Sequence, residues 1–176
     1  MPVRIFFRHG EKAHHNLQVD RPYPYDSDIT KNDLSKAQAA VERLLEEFGP
    51  PTELITSPYR RCIQTSNWLL NLAEDIDPAV SSVHFVVDPR LSEYYGSIKT
   101  IDLGYIHPDT IHYHPLIHIG RESLVEAVRG VVGDAKESSE EVVWYVTHGT
   151  VLARIADAFG IHRSRFKTLD YLIVHV

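Results

Sequence analysis

The sequence holds a single cysteine, Cys62, among its 176 residues. That excludes an internal disulfide and a cysteine-built metal centre, and it predicts a reducing, cytoplasmic setting. Positive charge is also scarce: 18 lysines and arginines stand against 24 acidic residues, for a net charge of −6. With no general basic field, no nucleic-acid groove is expected, and an anionic ligand would have to be met by a local group of arginines. Long apolar runs are missing as well. None approaches the roughly 18 residues that a membrane-spanning helix requires, and MPVRIFF enters a strand at once, which predicts neither a signal peptide nor a membrane partner. A content of 43% hydrophobic residues suffices for one core, so a single domain over 1–176 is the expectation.

What is present alternates. Val3 to Phe7, residues 53–56, His84 to Val87, Val142 to Val146 and Leu172 to Val176 are short runs rich in β-branched and aromatic residues, and each predicts a strand. Between them, residues 31–48 place Leu34, Ala37, Val41, Leu44, Leu45 and Phe48 at helical spacing, with Thr30 or Asn32 as cap and Gly49-Pro50-Pro51 as stop. RRCIQTSNWLLNLAED and TVLARIADAFG read as further helices, and residues 134–141 as a solvated polar turn. Strands alternating with helices predict a three-layer α/β sandwich with a mostly parallel central sheet. The stretch 94–120 breaks that rhythm with glycines, prolines and four histidines, and predicts an inserted loop or cap.

Polar residues of one kind collect where the strands end: RHGE after the first, SPYRRCIQT after the second, THGT after the fourth. Ligands of open α/β sheets bind beyond the carboxyl ends of the strands, so Arg8, His9, Arg61 and His148 should converge there. Two arginines and two histidines around one point need an anion between them, and a phosphoryl group suits the forked geometry of guanidinium. The helix that opens at Gly149-Thr150 would add backbone donors, with Thr150 near the anion. A histidine held through one ring nitrogen can attack phosphorus with the other. The leaving oxygen then needs an acid on a loop over the pocket, and Glu93 in DPRLSEYYG stands where such a loop begins.

These segments resemble the histidine phosphatase superfamily, also called phosphoglycerate-mutase-like. Its RHG motif is similar to Arg8-His9-Gly10, its SPLxRAxQT motif to Ser57 through Thr65, its RLxExxxG motif to Arg90 through Gly96, and its late HG to His148-Gly149. A weaker match joins Glu122-Ser123 to the family's GES helix. The resemblance implies that His9 is the phosphorylated nucleophile, Glu93 the acid and base, and Arg8, Arg61 and His148 the phosphate ligands. It further implies a metal-independent phosphoric monoester hydrolase that needs no cofactor. RHGEKAHHN departs from the mutase form RHGESxxN at Lys12, so the chain looks more like a compact phosphatase than a mutase.

Two other activities share these residues: a phosphoglycerate mutase or sugar bisphosphatase using the same phosphohistidine, and a phospho-ligand binding module with little turnover. A small phosphorylated molecule or a phosphoprotein would be the partner. The identity of the leaving group and the oligomeric state have no signature in the sequence. His107, His112, His114 and His118 lack helical metal-ligand spacing, and they are expected to line or cover the pocket mouth rather than to bind zinc.

Overall fold

The computed structural model describes residues 1–13, 27–92 and 124–176. The proposed insertion at 94–120, Glu93, Glu122 and the four histidines all lie outside these described residues. Among the described residues five strands run β1 (Val3–Arg8), β2 (Glu53–Thr56), β3 (His84–Val87), β4 (Val142–Thr147) and β5 (Tyr171–His175). The four α-helices among the described residues are α1 (Leu34–Phe48), α2 (Arg60–Glu74), α3 (Leu124–Glu137) and α4 (Gly149–Ala158). Short 3₁₀ turns at Pro78–Ser82 and Pro89–Leu91 flank β3.

The strands form one sheet in the order β3-β2-β4-β1-β5. All neighbours are parallel except β5, which runs antiparallel to β1. Every residue of the central strand β4 is buried, as a strand covered on both faces requires. Alternation along β1 and β4 divides the core in two. Ile5, Phe7, Trp144 and Val146 pack with Val41 and Leu44 of α1 and Cys62 and Leu69 of α2. Phe6, Val143 and Tyr145 pack with Val128 and Val131 of α3 and Leu152 and Ile155 of α4 on the opposite face. The result is the three-layer sandwich that the alternation of strands and helices predicts.

Two local expectations need correction. The cap of α1 is Asp33, not Thr30 or Asn32, and Asp33 makes no capping hydrogen bond of its own. Its carboxylate instead accepts from the backbone of Glu11 at 2.7 Å, while Thr30 and Asn32 donate to the Glu11 carboxylate. Three residues that favour helix caps are thus turned toward the loop after β1.

The segment 134–141 is not a simple solvated turn, because its first half completes α3. Gly130 and Gly133 obscure the helical period in sequence, whereas the buried Val128, Val131, Val132 and Ala135 define it in space. The second half wraps Arg4, a fully buried arginine that interrupts the apolar run of β1. Its guanidinium donates to the carbonyls of Ala135, Ser138 and Glu140, at 2.8, 2.7 and 2.8 Å. A carbonyl-lined socket satisfies the cation that the strand would otherwise bury unpaired.

Gly10, in the turn after β1, has no positive φ, and a Cβ there would meet Ile29 and Thr65 at ordinary contact distances of 3.6 Å. Nothing among the described residues demands glycine at that position.

Candidate active site

Sheet register brings the site together. Arg8 of β1 is paired with Thr147 of β4, so the next residues, His9 and His148, leave adjacent parallel strands side by side. The ladder continues one step further, His9 N–H donating to the Thr147 carbonyl at 3.0 Å and Ser57 N–H to that of Val146 at 2.9 Å. The two imidazoles meet edge to face with centroids 5.3 Å apart. Arg61, in the first turn of α2, is fully buried and reaches the same point, its Nη2 donating to Nδ1 of His148 at 3.0 Å. Three residues distant in sequence, His9, Arg61 and His148, therefore meet at the carboxyl end of the sheet.

The hydrogen bonds fix both tautomers. His9 Nδ1 lies 2.7 Å from the Gly10 carbonyl, which can only accept, so Nδ1 carries the proton and Nε2 the lone pair. His148 is the reverse. Arg61 donates to its Nδ1, so its proton sits on Nε2, which donates to Ser57 Oγ at 2.9 Å and lies 3.6 Å from Cys62 Sγ. Both rings are neutral near pH 7. Burial, then the Arg61 charge, holds each histidine well below its ordinary value, with Arg8 and Lys12 adding to the effect.

Arg61 is pinned a second way, its guanidinium carbon lying 4.2 Å over the ring of Tyr59. Arg8 reaches the loop before β5. Its Nη1 donates to the carbonyl of Phe166, and its buried Nε has no acceptor among the described residues. Gly149 makes that placement possible, since a Cβ on it would come within 3.2 Å of Arg8 Nε. Thr150 is exposed in the first turn of α4 and lines a cleft with Arg8, not with the two histidines.

The rest of the SPYRRCIQT segment is scaffolding for the loop after β1. Thr65 Oγ1 gives its proton to the Arg61 carbonyl at 2.7 Å and accepts from Gly10 N–H at 2.9 Å. Gln64 holds the returning chain, accepting from Ile29 N–H and donating to Asp28. Glu11 binds Thr30 and Asn32 and therefore braces the loop from the other side.

Glu93 is outside the described residues, but the chain leading to it is firmly held. Arg90 pairs with Asp88 and with Asp134 of α3, Thr147 Oγ1 donates to the Leu91 carbonyl at 2.7 Å, and Ser92 is buried.

Several participants have no counterpart in the sequence expectations. Ser57 and Thr65 lie inside the recognised segment, where attention to the arginines passes over them. A second group, Arg163, Arg165 and Lys167, lies in the loop before β5, and its signal is the run RSRFK, three cations in five residues. Asp170 anchors that loop. Burial opposes its charge, but hydrogen bonds from Lys36 and the Lys167 backbone hold its carboxyl below the usual range.

The family model of the histidine phosphatase superfamily, branch 1, matches residues 5–173. The chain belongs to the histidine phosphatase superfamily. A sequence search of curated proteins returns no match. Among solved structures, the ecdysone phosphate phosphatase of Bombyx mori in complex with tungstate superposes with a TM-score of 0.64 at 17% identity, covering 100% of this chain and 90% of that one. A SixA protein of Agrobacterium tumefaciens gives 0.62 at 12% identity, with 98% and 90% covered. A mycobacterial glucosyl-3-phosphoglycerate phosphatase gives 0.60 at 17% identity, with 98% and 89% covered. At such identities these likenesses speak for the fold alone. Among the described residues no helix is long and apolar enough to cross a membrane, and no group of three or more histidine, cysteine or acidic side chains is arranged for a metal ion.

Proposed function

We propose that the protein is a phosphatase that hydrolyses phosphomonoesters through a phosphohistidine at His9. The observation that carries this reading is the state of His9: Nδ1 anchored on a carbonyl, the ring kept neutral by burial and Arg61, and the lone pair left on Nε2. A neutral imidazole oriented in this way is a nucleophile at neutral pH.

The phosphoryl group of the substrate lies among Arg8, Arg61 and His148. His9 Nε2 forms the N–P bond as the ester P–O bond breaks, and Glu93 gives its proton to the leaving oxygen. Water then attacks phosphorus, Glu93 takes back a proton, and the N–P bond breaks to release phosphate and the neutral imidazole. Positioning and charge stabilisation supply most of the rate, which is the part the two arginines play. His148 joins as a ligand when a phosphoryl oxygen takes over the Nε2–H that Ser57 otherwise accepts. The pinned segment Arg90–Ser92 supports the assignment of Glu93, because Leu91, two residues before it in sequence, accepts through its carbonyl from Thr147, the neighbour of His148.

The test is hydrolysis of an aryl phosphate by the wild type and by His9→Ala, with an alkaline denaturing quench, which preserves an N–P bond, and intact-mass analysis. The expected result is a transient protein adduct of one phosphoryl group in the wild type, and neither adduct nor turnover in His9→Ala. Wild-type turnover by His9→Ala would sink the reading.

A further inference from the structure

We propose that the cleft between the N-terminus of α4 and the loop 163–167 is a second anion subsite, so that the preferred substrate is a small phosphomonoester bearing a further phosphate or carboxylate. This rests on the phosphatase reading above. The cleft has a volume of about 520 Å³ and is lined by Arg8, Thr150, Arg163, Arg165, Phe166 and Lys167, among others. That volume lies in the range of small-molecule sites. Arg8 is shared: it follows Phe7 out of β1, immediately before His9, and its side chain forms a wall of the cleft. A ligand in the cleft would therefore adjoin the phosphoryl pocket.

The charge of the cleft is at odds with that of the whole chain. In a protein of net charge −6, four cationic side chains line it against one carboxylate, Asp170. That carboxylate is already engaged by Lys36 at 2.9 Å, by Arg163 at 2.5 Å and by the Lys167 backbone at 2.8 Å. Arg165 and Lys167 have no carboxylate partner among the described residues, and both are exposed toward solvent. Uncompensated cations concentrated in one concave place attract an anion.

The loop is also built to hold its shape. Leu169 is buried and adopts φ 55°, a conformation that bulky residues rarely take, and its N–H is bonded to the carbonyls of Arg8 at 3.2 Å and His9 at 3.4 Å. The strained residue is thus stitched to the segment that carries the nucleophile. Lys36 donates to the Thr168 carbonyl as well as to Asp170, and Arg163 lies 4.3 Å over the ring of Phe166. Basic side chains on a rigid loop lose less freedom when they bind than the same side chains on a slack one.

The test uses the double variant Arg165→Gln/Lys167→Gln, which touches neither His9 nor any residue proposed to hold the scissile phosphoryl group. Titration calorimetry would compare alkane bisphosphonates of increasing chain length, the matching phosphonocarboxylates and the simple alkyl monophosphonates. The variant should bind the doubly anionic probes roughly three- to tenfold more weakly, as expected for two partly exposed ion pairs. Monophosphonate affinity should stay within about twofold. Whichever second group shows the larger loss identifies the anion that the subsite prefers. Equal losses for single and double anions, no loss at all, or no advantage of the double anions over monophosphonates in the wild type would overturn the subsite. Because the probes are not hydrolysed, the result stands whether or not His9 supports turnover, and hydrolysis of an aryl phosphate decides the phosphatase reading separately.

Discussion

Arg61 donates from Nη2 to Nδ1 of His148, 3.0 Å away, and both side chains are completely removed from solvent. This one bond places the His148 proton on the opposite nitrogen and aims a guanidinium whose other face rests on Tyr59. A lysine at 61 keeps the charge but has neither the fork nor the flat face. Arg61→Lys should therefore lower kcat/KM for an aryl phosphate by about a hundredfold, the scale of losing one preorganised donor to the developing charge. Steady-state kinetics would show it, and an activity within a few-fold of wild type would contradict the role.

The pH dependence of stability follows from the two neutral histidines. In the unfolded chain His9 and His148 take up protons near their ordinary value of 6.5, whereas the folded protein resists protonating them until well below it. The unfolded state binds more protons in that window, so their contribution is complete above about pH 6.5 and is lost as pH falls toward the depressed folded values. Urea midpoints should drop between pH 7.5 and 5.5 in the wild type and drop less in His9→Asn. Sulfate, whose charge is constant in this range, should favour the protonated rings and flatten the drop. An identical slope in the wild type and His9→Asn would remove His9 from this account.

Thr65 is a hinge pin between α2 and the loop after β1. Thr65→Val keeps the shape but strips the buried Gly10 N–H of the acceptor it has among the described residues. The cost in unfolding free energy should be about 1–3 kcal/mol, measured by urea titration. Activity should fall as well, because the same loop carries the His9 tautomer anchor. A stability change near zero would mean that the loop finds another acceptor.

The two glycines beside the histidines should respond differently to alanine. At Gly149 the new Cβ would press on Arg8 Nε at 3.2 Å, against a guanidinium already held by the Phe166 carbonyl. At Gly10 it would find ordinary contacts. Gly149→Ala is expected to lose about tenfold in kcat/KM through displacement of Arg8, while Gly10→Ala should stay within about 0.5 kcal/mol of wild-type stability. The reverse order would show that the backbone at Gly10 carries a constraint that its contacts do not.

Much of this was legible from particular residues. The short β-branched runs and the helical spacing of Ala37, Val41 and Leu44 gave the layers, because burial imposes those periods directly; Leu34, which shares that spacing, is exposed at the first turn. His9, Arg61 and His148 could be assembled because each lies beyond a strand end, and topology alone brings strand ends together. The α3 helix was harder to see, since two glycines dilute its period and the buried valines are defined only by packing on β4. Capping was misread at Thr30 and Asn32 because local preference names residue types and not partners; the partner here, Glu11, arrives from another segment. Arg163, Arg165 and Lys167 escaped notice because three surface cations have no meaning until the antiparallel turn of β5 places them over Arg8.

That last strand has a consequence for how the protein can be altered. In a sheet whose strands all ran one way, every loop at the carboxyl end would leave a strand and carry part of the phosphoryl pocket with it. Because β5 runs backward, one loop at that end enters a strand, and its residues can be exchanged while the segments after β1, β2 and β4 stay as they are. The exposed side chains of Arg165 and Lys167 would then be a dial for what the ligand looks like, turned without disturbing the backbone of Phe166 and Leu169 that ties the loop to Arg8 and His9.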